Sequence, residues 1–265
     1  MTSQDSISAA VARLAQAQET RVPCAPVRDL IGTDDLDAAY AVQQGLVQGR
    51  LAAGATIVGR KIGATSEAVQ TQLGVDQPDF GYLLDVMDVS AGVGGDPISM
   101  RTLLQPRVEG EVAFRLGRDI DDPESTLEVV RDAGEVALPA LEIVDSRIAD
   151  WKIGFTDTVA DNASSGLFVV GTDGRTLDEL EPRDVTMSLT INGEERSAGN
   201  GAACLGDPLE ALRWLAVQAQ RFGEPLRAGQ LILSGALGPF VPFAPGDRVV
   251  ATISGFAPLS VTFEE

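Results

Sequence analysis

Three glutamates stand where this chain has least room for charge. Glu109 and Glu111 lie in Leu-Gln-Pro-Arg-Val-Glu-Gly-Glu-Val-Ala-Phe (104–114), and Glu142 lies in Ala-Leu-Pro-Ala-Leu-Glu-Ile-Val (137–144). Both runs read as buried or half-buried strands. Residues i and i+2 of a strand share a face, so Glu109 and Glu111 project side by side. Ala113 continues their face, while Val108, Val112 and Phe114 fill the other. A Glu-x-Glu pair alone is usually a solvated face. Here neither face reads as wet, and Glu142 occupies a core position. A buried carboxylate is costly unless it is paired, protonated or bound to a cation, and neighbouring carboxylates repel. Such a trio predicts a divalent-cation site.

The absence of histidine sharpens this reading. It removes imidazole ligands, Ser-His and Cys-His pairs and a histidine base, leaving proton transfer to carboxylate, lysine, tyrosine, cysteine or bound water. An all-oxygen donor set favours Mg²⁺, Mn²⁺ or Ca²⁺ over zinc or copper. The 39 acidic against 20 basic residues, net −19, argue against a nucleic-acid partner and an anionic membrane surface. No apolar run reaches the roughly 18–20 residues of a membrane span, and the N-terminus lacks a secretory pattern. Cys24 and Cys204 fit a reducing cytosol, so a cytoplasmic location is expected.

The 265 residues suit a single large unit, read as a helical N-terminal region (1–55) on a β-rich metal-binding body (56–265). Ile7, Val11 and Leu14 recur at helical spacing. A second helix opens at Thr33 or Asp34 and stops at Gly54. Residues 56–63 read as a strand, Thr65 or Ser66 caps a brief helix over 67–73, and 74–81 reads as a loop. Asn192-Gly193 predicts a two-residue hairpin. Asp207-Pro208 opens a helix closed by Gly223, and 231–235 and 248–253 read as strands. The glycines of 92–95 and 199–201 read as turns, fitting no phosphate-binding fingerprint.

Further polar residues are candidates for the site. Lys61 lies in Val-Gly-Arg-Lys-Ile-Gly, where the ordinary reading is a surface lysine and the functional one a substrate or proton contact. Asp79, in Gln-Pro-Asp-Phe-Gly, has an equal claim as a turn residue. Asp157, Asp161, Asn162, Ser164 and Ser165 form a dense polar cluster that could line a pocket.

Several of these segments together resemble the 2-keto-4-pentenoate (2-hydroxypentadienoate) hydratases. They are Gly-Arg-Lys-Ile-Gly-Ala-Thr-Ser (59–66), Leu-Gly-Val-Asp-Gln-Pro-Asp-Phe-Gly (73–81), Pro-Arg-Val-Glu-Gly-Glu (106–111), Leu-Pro-Ala-Leu-Glu-Ile-Val-Asp-Ser-Arg (138–147), Asp-Thr-Val-Ala-Asp-Asn-Ala-Ser-Ser (157–165) and Gly-Glu-Pro-Leu-Arg-Ala-Gly (223–229). The likeness runs in matching order over roughly residues 30 to 263. It implies an α+β fold of the fumarylacetoacetate hydrolase-like superfamily, a mixed-sheet body with a helical N-terminal region. It also implies Mg²⁺ or Mn²⁺ held by Glu109, Glu111 and Glu142, and proton transfer by Lys61 and Asp79. Ser164, Asn162 and Ser234 are then expected to contact substrate. Tyr82 stands where many decarboxylase-like relatives carry histidine, and Ser234 where hydratases often carry threonine. The implied reaction is hydration of a 2-hydroxy-2,4-dienoate by a homo-oligomeric lyase of aromatic catabolism. The alternatives are a 4-oxalocrotonate-type decarboxylase and a non-catalytic partner subunit of a hydratase–decarboxylase pair.

Overall fold

Apolar residues at helical spacing draw the N-terminal region into helices that close one side of the molecule. The computed structural model describes residues 2–265, without the side chains of residues 68, 72 and 73. Helix α1 (Gln4–Thr20) is capped by the Ser3 hydroxyl and buries Ala10, Leu14 and Ala17. After the single turn of α2 (Arg28–Ile31), helix α3 (Leu36–Ala52) packs on α1. Its cap is Asp35, which accepts from Ala38 N, one residue beyond the start expected at Thr33 or Asp34.

From residue 57 the chain changes to strands. They are β1 (Ile57–Gly63), β2 (Asp79–Leu84), β3 (Ile98–Ser99), β4 (Arg107–Leu116), β5 (Gly134–Val144) and β6 (Ser165–Val170). β7 (Thr186–Ile191), β8 (Glu194–Asn200), β9 (Leu231–Ala236), β10 (Val241–Pro242), β11 (Arg248–Ile253) and β12 (Leu259–Glu264) complete the set. Between them lie α4 (Glu67–Leu73), α5 (Leu127–Ala133), α6 (Phe155–Ala160) and α7 (Pro208–Arg221). Ser66 caps α4, and Asp207 with Pro208 opens α7, as their residue types require. Two expectations need correction. Asp79–Gly81 open β2 instead of finishing a loop, and Gly199 and Asn200 end β8 instead of forming a turn.

The larger sheet runs β2-β1-β9-β4-β5-β6, with β10 beside β4, and mixes antiparallel pairs with the parallel pair β1–β9. The smaller runs β3-β12-β11-β7-β8. Asn192 and Gly193, both at positive φ, make the expected tight hairpin between β7 and β8. Buried positions alternate along β7, as in a sheet with one face packed and one wet. β4 and β5 are buried almost throughout, so the larger sheet is covered on both faces. Val108, Val112 and Phe114 enter the main core, and Ala113 joins Leu138, Ala140 and Leu233 on the opposite face. The glutamates leave β4 on that second face. Among the described residues, no helix is long and apolar enough to cross a membrane.

Candidate metal centre and proton-transfer site

The antiparallel register of β4 and β5 sets Glu109 directly opposite Glu142, and strand alternation brings Glu111 to the same face. Each offers a carboxylate oxygen within 4.8 Å of the others, and all three residues are at most 4% exposed. Glu109 Oε2, Glu111 Oε1 and both Glu142 oxygens have no hydrogen-bond partner. Lys61 Nζ lies 3.3 Å from Glu142 Oε1, an ion pair without hydrogen-bond geometry. Burial, reinforced by repulsion from Glu142, pushes Glu109 up to about 8 and Glu111 well above the carboxylate range. Burial raises Glu142 as well, against the pull of Lys61. Bare oxygen acceptors that converge in a dry interior, with no thiolate or imidazole among them, fit a hard divalent cation.

One backbone feature holds this arrangement. β9 carries a bulge opposite Glu111 and Ala113, where Gly235 adopts φ +113° and donates its N–H to Glu111 Oε2 at 2.8 Å. A Cβ at Gly235 would collide with Thr65. The sequence signal for this bulge is the glycine of Ser234-Gly235 inside a strand pattern.

Lys61 projects from β1, next to β9, and Asp79 opens β2 opposite Gly63. Burial draws the Lys61 ammonium downward, but Glu142, Asp79, Glu109 and Glu111 together outweigh it and hold its pKa above the ordinary value. Burial raises Asp79, opposed by Lys61 and by the Thr158 hydroxyl that donates to its Oδ2 at 3.1 Å. Thr158 Oγ1 is also 3.3 Å from Ser164 Oγ. No sequence pattern marks Thr158 by itself, although it stands inside the 157–165 segment. A Cβ at Gly63 would strike Asp79 Oδ1 and lie 3.1 Å from Lys61 Nζ. Gly63→Ala is therefore expected to lower kcat by about two orders of magnitude while the chain still folds, because a 1 Å misplacement of reacting groups costs about that much. Steady-state kinetics beside a thermal melt check it, and near-normal kcat would contradict the placement.

The wall beside Asp79 is a left-handed turn. Asn162, Ala163 and Ser164 have φ of 55°, 52° and 52°, a conformation that costs L-residues roughly 1–2 kcal/mol each. Surrounding bonds enforce it. Asn162 Oδ1 accepts from Tyr82 N at 2.8 Å and Nδ2 donates to Tyr82 O at 3.0 Å. Buried Arg147 pairs with Asp161 and donates to Ser165 O at 2.6 Å, while Asp145 N donates to Ser164 O at 2.8 Å. Gln43 reaches from α3 to the carbonyls of Phe80 and Val159, tying the N-terminal helices to this wall. Asp157 and Asp161 are thus occupied by Arg28 and Arg147. Ser234 Oγ donates to Val112 O at 2.7 Å, and both polar ends of Asn162 are engaged with Tyr82. Of the three serine and asparagine candidates, Ser164 alone keeps its side chain beside Thr158, the residue whose hydroxyl binds Asp79.

Residues 56–264 match the family model for the C-terminal region of fumarylacetoacetate hydrolase. The chain is 50% identical over 251 residues to the 2-keto-4-pentenoate hydratase of Paraburkholderia xenovorans, covering 95% of this chain and 92% of that one. It is 46% identical over 265 residues to the 2-keto-4-pentenoate hydratase of Burkholderia vietnamiensis, covering all of both chains. Among solved structures, the 4-oxalocrotonate decarboxylase of Pseudomonas putida, complexed with magnesium and adipate, superposes with a TM-score of 0.92 at 30% identity over 99% of each chain.

Proposed function

This chain belongs to the fumarylacetoacetate hydrolase family, among its 2-keto-4-pentenoate hydratases, and from that membership we propose that it adds water to a 2-hydroxy-2,4-dienoate. The product is a 4-hydroxy-2-oxo acid. The observation that carries this reading is the buried cluster of Glu109, Glu111 and Glu142 with the Lys61 ammonium 3.3 Å away, in a chain so close to named hydratases. Glu109, Glu111 and Glu142 would hold Mg²⁺ or Mn²⁺. When bound, the ion supplies Lewis acidity, stabilising negative charge on the substrate's 2-oxygen.

The chain's own residues move the protons. Ketonisation of the dienol takes the proton from the 2-hydroxyl and adds one at C5, giving a 2-oxo-3-alkenoate. Water then adds at C4 and a proton at C3. Asp79, lifted by burial and aligned by Thr158, carries protons between these positions and the attacking water. Lys61, held as an ammonium by the surrounding carboxylates, stabilises the charge that develops between the two steps. Ser164 contacts the substrate, and Asn162 and Ser234 hold the backbone around the site through the groups they bind.

Incubation with 2-hydroxypenta-2,4-dienoate tests the reading. Loss of dienol absorbance with formation of 4-hydroxy-2-oxopentanoate supports it. CO₂ release from a vinylogous 2-oxo diacid, with no hydration, would instead make the chain a decarboxylase. A soluble, cytoplasmic homo-oligomer acting in aromatic catabolism completes the proposal.

The buried carboxylates also set a pH dependence. Glu109 has a pKa of about 8 in the folded chain against an ordinary value of 4.5, so the folded state retains a proton that the unfolded state has lost. The metal-free protein should therefore lose stability as pH rises from about 4.5 to about 8. Excess Mn²⁺ should remove that loss, because ligand binding requires the ionised form. Thermal melts with chelator and with Mn²⁺ across this window give the comparison. Parallel curves would contradict it.

A further inference from the structure

Arg107 opens β4 two residues before Glu109, so it leaves the strand on the face of the glutamates. Its guanidinium carbon lies 4.6 Å from the centre of the Trp151 ring and 5.0 Å from that of Phe240. The two rings are stacked 5.7 Å apart, and Trp151 is fixed by a 3.0 Å bond from Nε1 to Gln105 O. Phe240 also belongs to a small apolar cluster with Val69, Val144 and Ala236. Val144 is the cross-strand partner of Arg107, and Ala236 that of Glu111. The cation and the apolar patch therefore border the carboxylate site together.

None of the ion pairs among the described residues includes Arg107, in a chain with nearly twice as many acids as bases. Arg107 is half-buried, and a partly buried guanidinium without a carboxylate partner is costly unless something else uses its five donors. Charge at the site points the same way. Glu109, Glu111, Glu142 and Asp79 face one ammonium, Lys61, so a divalent cation still leaves an excess negative charge before any carboxylate substrate arrives. A second fixed cation offsets that repulsion, and Arg107, two residues from Glu109 on the same strand face, has no ion pair among the described residues to spend its charge on.

We propose that Arg107 is a substrate-specificity residue, a fork braced by Trp151 and Phe240 that receives a carboxylate of the 2-oxo acid. The planar carbon chain of that acid lies along Val144 and Phe240. This rests on the 2-oxo-acid reading of the site.

The test uses Arg107→Gln and Arg107→Lys in a Trp214→Phe background, which leaves Trp151 as the sole tryptophan of the two in the chain. Arg107→Gln should raise KM roughly 10- to 100-fold, the range for a lost charge-assisted hydrogen-bond pair, with kcat changed less than about threefold. Arg107→Lys should recover only part, since an ammonium lacks the fork. Oxalate titrated into the Mn²⁺-loaded protein and followed by Trp151 emission should weaken by a similar factor, while Mn²⁺ affinity itself does not fall. If the mono-acid 2-hydroxypenta-2,4-dienoate and the diacid 2-hydroxyhexa-2,4-dienedioate both lose affinity, the fork holds the C1 carboxylate. If only the diacid does, with oxalate binding unchanged, it holds the distal one. Unchanged KM for both acids together with unchanged oxalate binding overturns the proposal and leaves Arg107 as a packing wedge. If the parent protein turns over neither acid, the hydratase reading fails, and the same Trp151-followed titration with oxalate and with the unreacted diacid decides Arg107, unchanged affinity for both overturning the proposal. Should Arg107→Gln not fold, the Arg107→Lys comparison carries the same outcomes.

Discussion

Glu111→Gln is expected to abolish hydration while making the metal-free protein no less stable. Glutamine preserves the volume, and its oxygen can still accept the Gly235 N–H that Glu111 now receives at 2.8 Å. What disappears is a charge. Removing one of three anionic ligands should weaken the hold on a divalent cation and forfeit charge stabilisation worth several kcal/mol. At about 4 kcal/mol the rate falls roughly a thousandfold. The same change relieves a buried carboxylate whose pKa burial and its two glutamate neighbours drive far upward. The chelator-treated variant should therefore melt at or above the parent near pH 8. Loss of activity with unchanged or raised apo stability separates ligand loss from misfolding. A variant that melts far below the parent would mean Glu111 holds the fold rather than a cation.

The second large effect belongs to Lys61 and Asp79, and the two should differ in their side effects. Asp79→Asn keeps an acceptor for the Thr158 hydroxyl but cannot shuttle a proton, so kcat should fall by roughly 10²–10⁴ with metal affinity nearly constant. Lys61→Met should lower kcat comparably. It also deletes the cation that opposes Glu142, Asp79, Glu109 and Glu111, so metal affinity should rise and apo stability should drop. Kinetics and Mn²⁺ titrations on both variants distinguish the roles. Equal metal affinities in Lys61→Met and the parent would remove Lys61 from the electrostatic account.

Much of this arrangement was legible because it depends on short-range rules. The period of two places Glu109 and Glu111 on one face, and an acid inside an apolar run marks Glu142 as a buried charge needing a partner. Helix caps at Ser66 and Asp207 and the Asn192–Gly193 hairpin follow from single residue types. Other features depend on pairing between distant segments, which no local pattern encodes. The register that sets Glu109 against Glu142, and the parallel placement of β1 beside β9 that brings in Lys61, are of this kind. Asp79 misled for a different reason. Gln-Pro-Asp-Phe-Gly has the composition of a turn, yet Gly81 lets the chain run as strand against the Asn162 carbonyl, where a Cβ would clash. The left-handed turn at 162–164 was also hidden. Asparagine tolerates that conformation, but Ala163 and Ser164 hold it only because Arg147, Asp145 and Tyr82 bind the backbone and side chains around it. Arg107 went unassigned because its meaning lies in Trp151 and Phe240, which its own strand does not supply.

Anomalous diffraction at the manganese edge, from crystals holding Mn²⁺ and oxalate as a planar stand-in for the enolate, tests the centre of this account most directly. The account predicts one strong peak enclosed by the carboxylates of Glu109, Glu111 and Glu142, with oxalate beside it on the side of Lys61. A peak coordinated by other side chains, or none among these three glutamates, would contradict it.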